Sequence, residues 1–300
     1  MKNKFILATG LFIASLAAAN VLFITPTIAN DAVSKKVTFR GKPAPLTAFQ
    51  KRRLPPGAKN PPGRELNAVL SLPAGKGPHR AAILIHTCHD ANFYQPWVKR
   101  LNSWGIATLS FSRCQPPDFK PMNANESLEW REGSATAYAA LNYLALNPAI
   151  NAKSIALIGW SRLGMVPLSV LNREGEYQFS KVKFAAAIAI NPFCGFAGGP
   201  HQAPILVISA GHDDWVDPKM CEKMAVLTAK DPNPVKVKVI KNVYHGFDIE
   251  GFGKTHFSEK EINVDGYPAG GGTLGYNEEA RNIAIGLVKL FLDKHLSGSK

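Results

Sequence analysis

The sequence predicts an α/β fold with a mostly parallel central sheet that helices cover on both faces. Two observations support this prediction. Short apolar runs alternate with longer segments of helical periodicity along most of the chain, which is the order of a parallel sheet with crossover helices. Several of the runs consist almost entirely of Val, Ile, Leu and Ala, as strands that are buried on both faces of a sheet require.

Each element follows from its local pattern of apolar and turn-forming residues. The predicted strands are a short one near 37–39 and those at 66–72, 81–86, 106–111, 155–158, 184–190, 204–209 and 235–240. The predicted helices are 97–104, 128–146, 162–171, 220–229 and 277–296. Lys alternates with Val in the last strand, which indicates that this strand is more exposed than the others.

The first 29 residues have the pattern of a secretory signal peptide. Lys2 and Lys4 precede the apolar run 5–24, and small residues suit cleavage after Ala29. The run is also long enough for an uncleaved membrane anchor, although an early proline favours cleavage. We expect 1–29 to be removed and 30–300 to form a single domain, in which 30–64 are an irregular N-terminal extension. The expected location is periplasmic or secreted, with no membrane association after cleavage.

The chain is basic, with a formal net charge of +13 that becomes +11 when Lys2 and Lys4 are removed with the signal peptide. The lysines are scattered, and no basic run interleaves with aromatic residues. The composition therefore does not indicate a nucleic-acid partner. With 46% apolar residues, the mature chain can bury one large core. Nothing in the pattern indicates a cofactor, and the oligomeric state is not predicted.

The stretch 154–167 reads as a strand, a sharp turn and a helix. The apolar run ends at Gly159, the turn presents Ser161, and Arg162 begins the helix. A Gly-x-Ser sequence in this context is a nucleophile elbow, which lifts the serine hydroxyl off the sheet. The first N–H groups of the helix then point toward whatever the serine attacks. The alternative is a helix N-cap serine with no chemical role.

A serine hydroxyl is a poor nucleophile unless a base and an orienting acid activate it. Asp213 and His245 each follow a further predicted strand. The chain order Ser161, Asp213, His245 is that of the triad in the α/β-hydrolase fold. Asp214 remains an alternative for the acid, and the alternative for His245 is a loop histidine that bonds only nearby backbone.

The loop after the predicted strand 81–86 is expected to complete an oxyanion hole. Its donor would be the backbone N–H of Cys88, and the second donor would be the backbone N–H of Arg162. The side chain of Arg162 has two interpretations: it binds an acidic group of the substrate, or it is solvated at the start of the helix.

Four side chains near this edge of the sheet raise the question of a metal site. His86, His89, Asp90 and His212 match no recognised ligand spacing. We therefore expect no metal, and hydrogen bonding at a strand end is the alternative role for His86 and His89.

The four cysteines are an even number in a chain with an export signal, which favours disulfides. Cys88 and Cys114 each follow a predicted strand, and Cys194 and Cys221 stand in the same relation further along the chain. We predict Cys88–Cys114 and Cys194–Cys221 as pairs. The alternative is four buried free thiols that pack as small apolar groups.

The motifs together resemble the dienelactone hydrolase-like branch of the α/β-hydrolases, in particular its exported bacterial members. Ile-His-Thr-Cys at 85–88 is similar to the His-Gly-Cys oxyanion loop of that branch, and Ile-Gly-Trp-Ser at 158–161 to its elbow. The segments 191–194, 213–215, 244–248 and 273–277 resemble four further motifs. The resemblance implies hydrolysis of an ester or lactone, a small-molecule substrate, through an acyl-enzyme, with Ser161, Asp213 and His245 as the catalytic residues.

The chain also departs from the pattern of that branch. The enzymes that give the family its name use a cysteine nucleophile, so Ser161 does not imply dienelactone as the substrate. Leu163 stands where glycine is usual, and so do Thr87, His89 and Asp90. These departures leave two alternatives: a binding protein that keeps the fold without chemistry, and an acyltransferase that uses the same triad with an acceptor other than water.

Overall fold

The structure of the protein is a computed structural model. The structure describes residues 32–41, 52, 63, 65–86, 91–112, 126–173, 180–195, 199–259 and 271–297. In these ranges eight strands form one sheet in the order β1-β2-β4-β3-β5-β6-β7-β8. The strands are β1 (Val33–Arg40), β2 (Glu65–Leu72), β3 (His79–His86), β4 (Ile106–Ser112), β5 (Ile150–Trp160), β6 (Ala186–Ile190), β7 (Ile205–Ala210) and β8 (Val235–Ile240). The signal peptide segment and most of 30–64 lie outside the described residues.

The sheet is antiparallel at one edge and parallel elsewhere. β2 pairs antiparallel with β1 and β4, and every pairing from β4 through β3 to β8 is parallel. The carboxyl ends of β3, β5, β6, β7 and β8 therefore meet at one edge of the sheet. Loops that follow these strands are the ones that can converge on a ligand.

Helices cover both faces of the sheet, as the sequence predicts. They are α1 (Gln95–Ser103), α2 (Glu126–Ala145), α3 (Met165–Leu171), α4 (Pro218–Leu227) and α5 (Glu278–Leu296). Helices α2, α3 and α4 pack in one apolar cluster, and α1 and α5 pack in the other. Successive strand residues alternate between the clusters, so Ile83 lies in the first and Leu84 in the second. No helix in the described ranges is long and apolar enough to cross a membrane.

Several boundaries differ from the sequence prediction by a few residues, as at β1 (Val33–Arg40), and three further differences change the local structure. β5 begins at Ile150, before the apolar run. Residues 151–153 are half-buried or exposed, so they lack the apolar pattern from which the strand was predicted. The helix after Ser161 begins as a 3₁₀ turn at Ser161–Gly164 and becomes α-helical only at Met165. A short antiparallel hairpin, β9 (His256–Ser258) and β10 (Gly272–Leu274), has no apolar alternation that would have predicted it.

A disulfide joins the segment after β6 to helix α4. Cys194 lies just after β6 and Cys221 lies in α4, and their Cα atoms are 5.0 Å apart. This is one of the two predicted pairs. Cys88 and Cys114 lie outside the described residues.

Replacing both Cys194 and Cys221 by serine should destabilise the protein. The disulfide closes a loop with a sequence separation of 27, and constraining a loop of that length in the unfolded chain stabilises the folded state by about 3 kcal/mol. Urea unfolding without reductant should show this loss as a lower midpoint, with a somewhat larger m-value because the unfolded chain without the disulfide exposes more surface. An unchanged midpoint would contradict a stabilising role for this disulfide.

Candidate active site

Ser161 stands at the turn between β5 and the helix that follows. Its φ is +52°, in the left-handed region that non-glycine residues seldom occupy, at a cost of roughly 1 kcal/mol. A Cβ on Gly159 would lie 2.4 Å from the carbonyl oxygen of Leu163, so only glycine fits there. The local sequence thus forces a sharp elbow that exposes the hydroxyl group of Ser161.

Leu163 is accommodated without loss of the elbow. Its side chain is buried in the apolar cluster that contains α2 and α3. Gly133 in α2 leaves room there, since a Cβ on Gly133 would lie 2.7 Å from Val166 Cγ2 and 3.7 Å from Leu163 Cδ2. The close approach to a neighbouring segment is instead at Gly164, where a Cβ would lie 2.9 Å from Pro192 Cβ and 3.1 Å from the backbone Cα of Pro192.

The three predicted triad residues form a chain of hydrogen bonds. His245 Nε2 lies 2.9 Å from Ser161 Oγ, and His245 Nδ1 lies 2.7 Å from Asp213 Oδ2. The other carboxylate oxygen of Asp213 accepts hydrogen bonds from the backbone N–H groups of Trp215 and Val216 at 3.0 and 2.9 Å. With Nδ1–H donating to Asp213, Nε2 is free of a proton and can accept one from Ser161.

Asp214, the alternative acid, is engaged elsewhere. Its two oxygens accept hydrogen bonds from Thr273 N at 2.8 Å and Thr273 Oγ1 at 2.6 Å. This contact fastens β10 to the loop that carries Asp213. β10 also contacts the histidine loop through a backbone bridge between His245 and Leu274. On the same side, the ring of Trp215 packs edge-on against His245 with centroids 4.8 Å apart.

A second buried carboxyl lies in the histidine loop at Asp248, which is 3% exposed. Its Oδ2 accepts hydrogen bonds from the indole N–H groups of Trp160 at 2.8 Å and Trp97 at 2.9 Å. Burial raises the pKa of Asp248, and the two indole hydrogen bonds oppose that rise. The sequence carries no signal for the contact with Trp97, because α1 and the histidine loop are far apart along the chain.

A small pocket of about 20 Å³ lies beside Ser161 and His245. Its described walls are mainly apolar and aromatic, and they include Tyr94, Trp160, Ile190, Trp215, Ile249 and Phe252. Asp248 and Asn191 are further lining residues. Arg162 is half-buried, and the two interpretations of its side chain stay predictions.

The other predicted residues at this edge are only partly described. His86 is buried and stacks on Tyr94 with centroids 4.3 Å apart, and His212 is exposed beside Tyr244. Cys88, His89 and Asp90 lie outside the described residues. Within the described ranges no three His, Cys, Asp or Glu residues are grouped as they would be to hold a metal ion.

Comparisons with solved structures identify the architecture. A dienelactone hydrolase-like promiscuous phosphotriesterase from metagenomic libraries superposes with a TM-score of 0.61 at 17% identity, covering 89% of this chain and 100% of that chain. Esterase 2 of Thermogutta terrifontis, phosphoramylated by tabun, superposes with a TM-score of 0.56 at 13% identity, covering 79% and 92%. The chain has the α/β-hydrolase fold.

The propionate-bound form of the same Thermogutta terrifontis esterase gives a similar result, with a TM-score of 0.56 at 13% identity over 79% of this chain and 93% of that chain. No protein-family model and no curated protein matches the sequence. The likeness to these α/β-hydrolases is therefore a likeness of fold.

Replacing Gly159 by alanine should distort the elbow. The new methyl group would meet the Leu163 carbonyl oxygen at 2.4 Å, and overpacking of this kind costs about 1–3 kcal/mol. We expect a lower urea midpoint and slower labelling of Ser161 by an organophosphorus reagent.

Gly286→Ala is the matched control, because this exposed helical glycine has open space where the methyl group would go. That substitution should stabilise the protein by about 0.5–1 kcal/mol. Equal effects of the two substitutions would contradict the close approach at Gly159.

Proposed function

We propose that the protein is a serine hydrolase that cleaves a carboxylic ester or lactone through an acyl-enzyme. The observation that carries this proposal is the 2.9 Å contact between Ser161 Oγ and His245 Nε2, with Asp213 bonded to the other ring nitrogen. The superposed Thermogutta terrifontis esterase, which has propionate bound in one of its structures, supports a small-molecule ester as the substrate class.

In the first step, Ser161 Oγ bonds to the carbonyl carbon of the ester and its proton moves to His245 Nε2. The carbonyl oxygen becomes an oxyanion. As the carbon–oxygen bond to the leaving group breaks, His245 gives the proton to the departing alcohol, which leaves an acyl group on Ser161. Water then attacks the acyl carbon, His245 takes its proton, and the acid departs as that proton returns to Ser161.

Asp213 acts on His245 throughout this sequence. Its carboxylate holds the Nδ1–H, which keeps the imidazole in the tautomer that accepts at Nε2, and it stabilises the imidazolium that forms. Two backbone N–H groups hold Asp213 on its other oxygen, so the carboxylate is oriented in advance of the reaction.

The oxyanion hole in this proposal consists of the backbone N–H groups of Arg162 and Cys88. Arg162 is the first residue after the nucleophile, where N–H groups lack partners within the helix. Cys88 follows β3, a neighbour of β5 at the same sheet edge. Donors at these two places would stabilise the negative charge that develops on the carbonyl oxygen.

We place the protein in the dienelactone hydrolase-like branch and outside the cytoplasm. The motif resemblance and the superposition on a dienelactone hydrolase-like phosphotriesterase support the branch. The signal-peptide pattern of 1–29 and the Cys194–Cys221 disulfide support export, because disulfides persist in oxidising compartments. The mature chain, 30–300, would then form one domain.

Replacing Ser161 by alanine should lower kcat for a short ester such as p-nitrophenyl butyrate by about 10⁴-fold or more, because no other group in the triad can form the acyl-enzyme. The measurement is spectrophotometric release of p-nitrophenol, with circular dichroism to confirm that the variant is folded.

Ser209→Ala is the matched control, since Ser209 is a buried serine at the end of the neighbouring strand β7 and has no part in the proposed chemistry. It should keep kcat unchanged. Full activity of Ser161→Ala would eliminate the proposed mechanism.

Asp213→Asn and Asp214→Asn should separate the two candidate acids. The amide at 213 can donate to Nδ1 and so favours the wrong imidazole tautomer, which lowers kcat by about 10⁴-fold in such triads. The amide at 214 can still accept a hydrogen bond from Thr273 N, so kcat should change only a few-fold. Steady-state kinetics on the two variants decide the question, and the reverse ranking would identify Asp214 as the acid.

A further inference from the structure

Asp248 has one carboxyl oxygen that is hydrogen-bonded and one that is buried without a hydrogen-bond partner among the described residues. Oδ2 accepts hydrogen bonds from the indoles of Trp97 and Trp160. Oδ1 is buried and accepts no hydrogen bond from the residues that the structure describes. Asp248 lines the pocket that also contains Ser161 and His245.

A buried oxygen without a partner is costly, because it has lost its bonds to water and gained none in return. Here the orientation of the carboxyl is fixed, because two indoles from different elements hold its other oxygen. Trp160 directly precedes Ser161 in the chain, and Asp248 follows His245 by three residues. Asp248 Oδ1 is therefore held in a defined position relative to the nucleophile, Ser161, and the base, His245.

Three kinds of ligand group could supply the missing partner. An ammonium group would place a second positive charge in the pocket of His245, which becomes an imidazolium during the proposed reaction, and like charges repel. A carboxylate would bring a second acid against Asp248 in an apolar pocket, where an unpaired charge is costly. A hydroxyl group avoids both problems, because it donates to an ionised carboxyl and accepts from a protonated one.

We propose that Asp248 is a substrate-binding residue, and that it selects esters or lactones with a hydroxyl group on the part of the substrate that enters this pocket. The inference rests on the proposed ester hydrolysis and extends it to a substrate class. The hydroxyl group bonds to Asp248 Oδ1, and the carbon that bears it lies against the apolar walls, which include Tyr94, Ile190 and Phe252.

The pocket has a volume of about 20 Å³, which is room for a group of about the size of one water molecule. It therefore suits a hydroxyl group on a short chain and excludes a long acyl chain. The test therefore uses p-nitrophenyl esters of butyrate and of 2- and 3-hydroxybutyrate, together with ethyl and hydroxyethyl butyrate for the alcohol side. For at least one hydroxylated ester, kcat/KM should exceed that of its matched unhydroxylated ester by about tenfold, the effect of one well-formed hydrogen bond.

Two substitutions locate that preference at Asp248. Asp248→Leu removes both oxygens, and the ratio of kcat/KM for the hydroxylated ester to that for the plain ester should fall to near one. Asp248→Asn keeps an acceptor for the indoles and a polar group toward the pocket, so it should retain most of the ratio. Asp214→Asn, the same change at an exposed carboxylate, should leave the ratio as in the unmodified protein.

A measurement without turnover covers the case in which Asp248→Leu does not fold. In Ser161→Ala protein, calorimetry should show tighter binding of the preferred hydroxylated ester than of its plain counterpart, and Asp248→Asn in the same background should retain the difference. If the plain esters are cleaved and no hydroxylated ester is preferred at any position, the substrate class is wrong and the hydrolase stands. If no ester is cleaved and Ser161 is not labelled by an organophosphorus reagent, the proposed function itself fails.

Discussion

The left-handed turn at Ser161 is the constraint on which the rest of the site depends. It places a non-glycine residue at φ +52°. The surrounding chain is packed so closely that there is no room for a side chain at position 159 or 164, and both residues are glycines. Strain of this kind persists only where the neighbouring structure holds it in place. Here it is held by β5 on one side and by the helix that begins with Ser161 on the other.

The remaining groups are brought to this turn by the parallel pairing of β5, β6, β7 and β8. Asp213 and His245 come from loops after β7 and β8, and each loop has its own support. The Cys194–Cys221 disulfide ties the chain after β6 to α4, just beyond the Asp213 loop. In the hairpin of β9 and β10, Thr273 contacts Asp214 of that loop, and Leu274 pairs with His245 of the histidine loop.

Much of this arrangement could be predicted because it follows from local pattern. The strands, the elbow and the order Ser161, Asp213, His245 depend on apolar runs, turn residues and the rule that parallel strands end at one edge. The contacts of Asp214 with Thr273 and of Asp248 with Trp97 could not be predicted, since each joins segments that are distant in sequence. The housing of Leu163 was equally hidden, because it depends on a glycine in a different helix.

The two indoles that share Asp248 have a practical consequence. Their ring centroids are 6.1 Å apart, and both N–H groups end on the same oxygen. The emission of an indole shifts with the electric field and the hydrogen bonding around it. Trp160 lines the pocket and Trp97 shares its carboxyl partner. The emission of these two indoles is therefore expected to change when a molecule enters the pocket, without any attached dye.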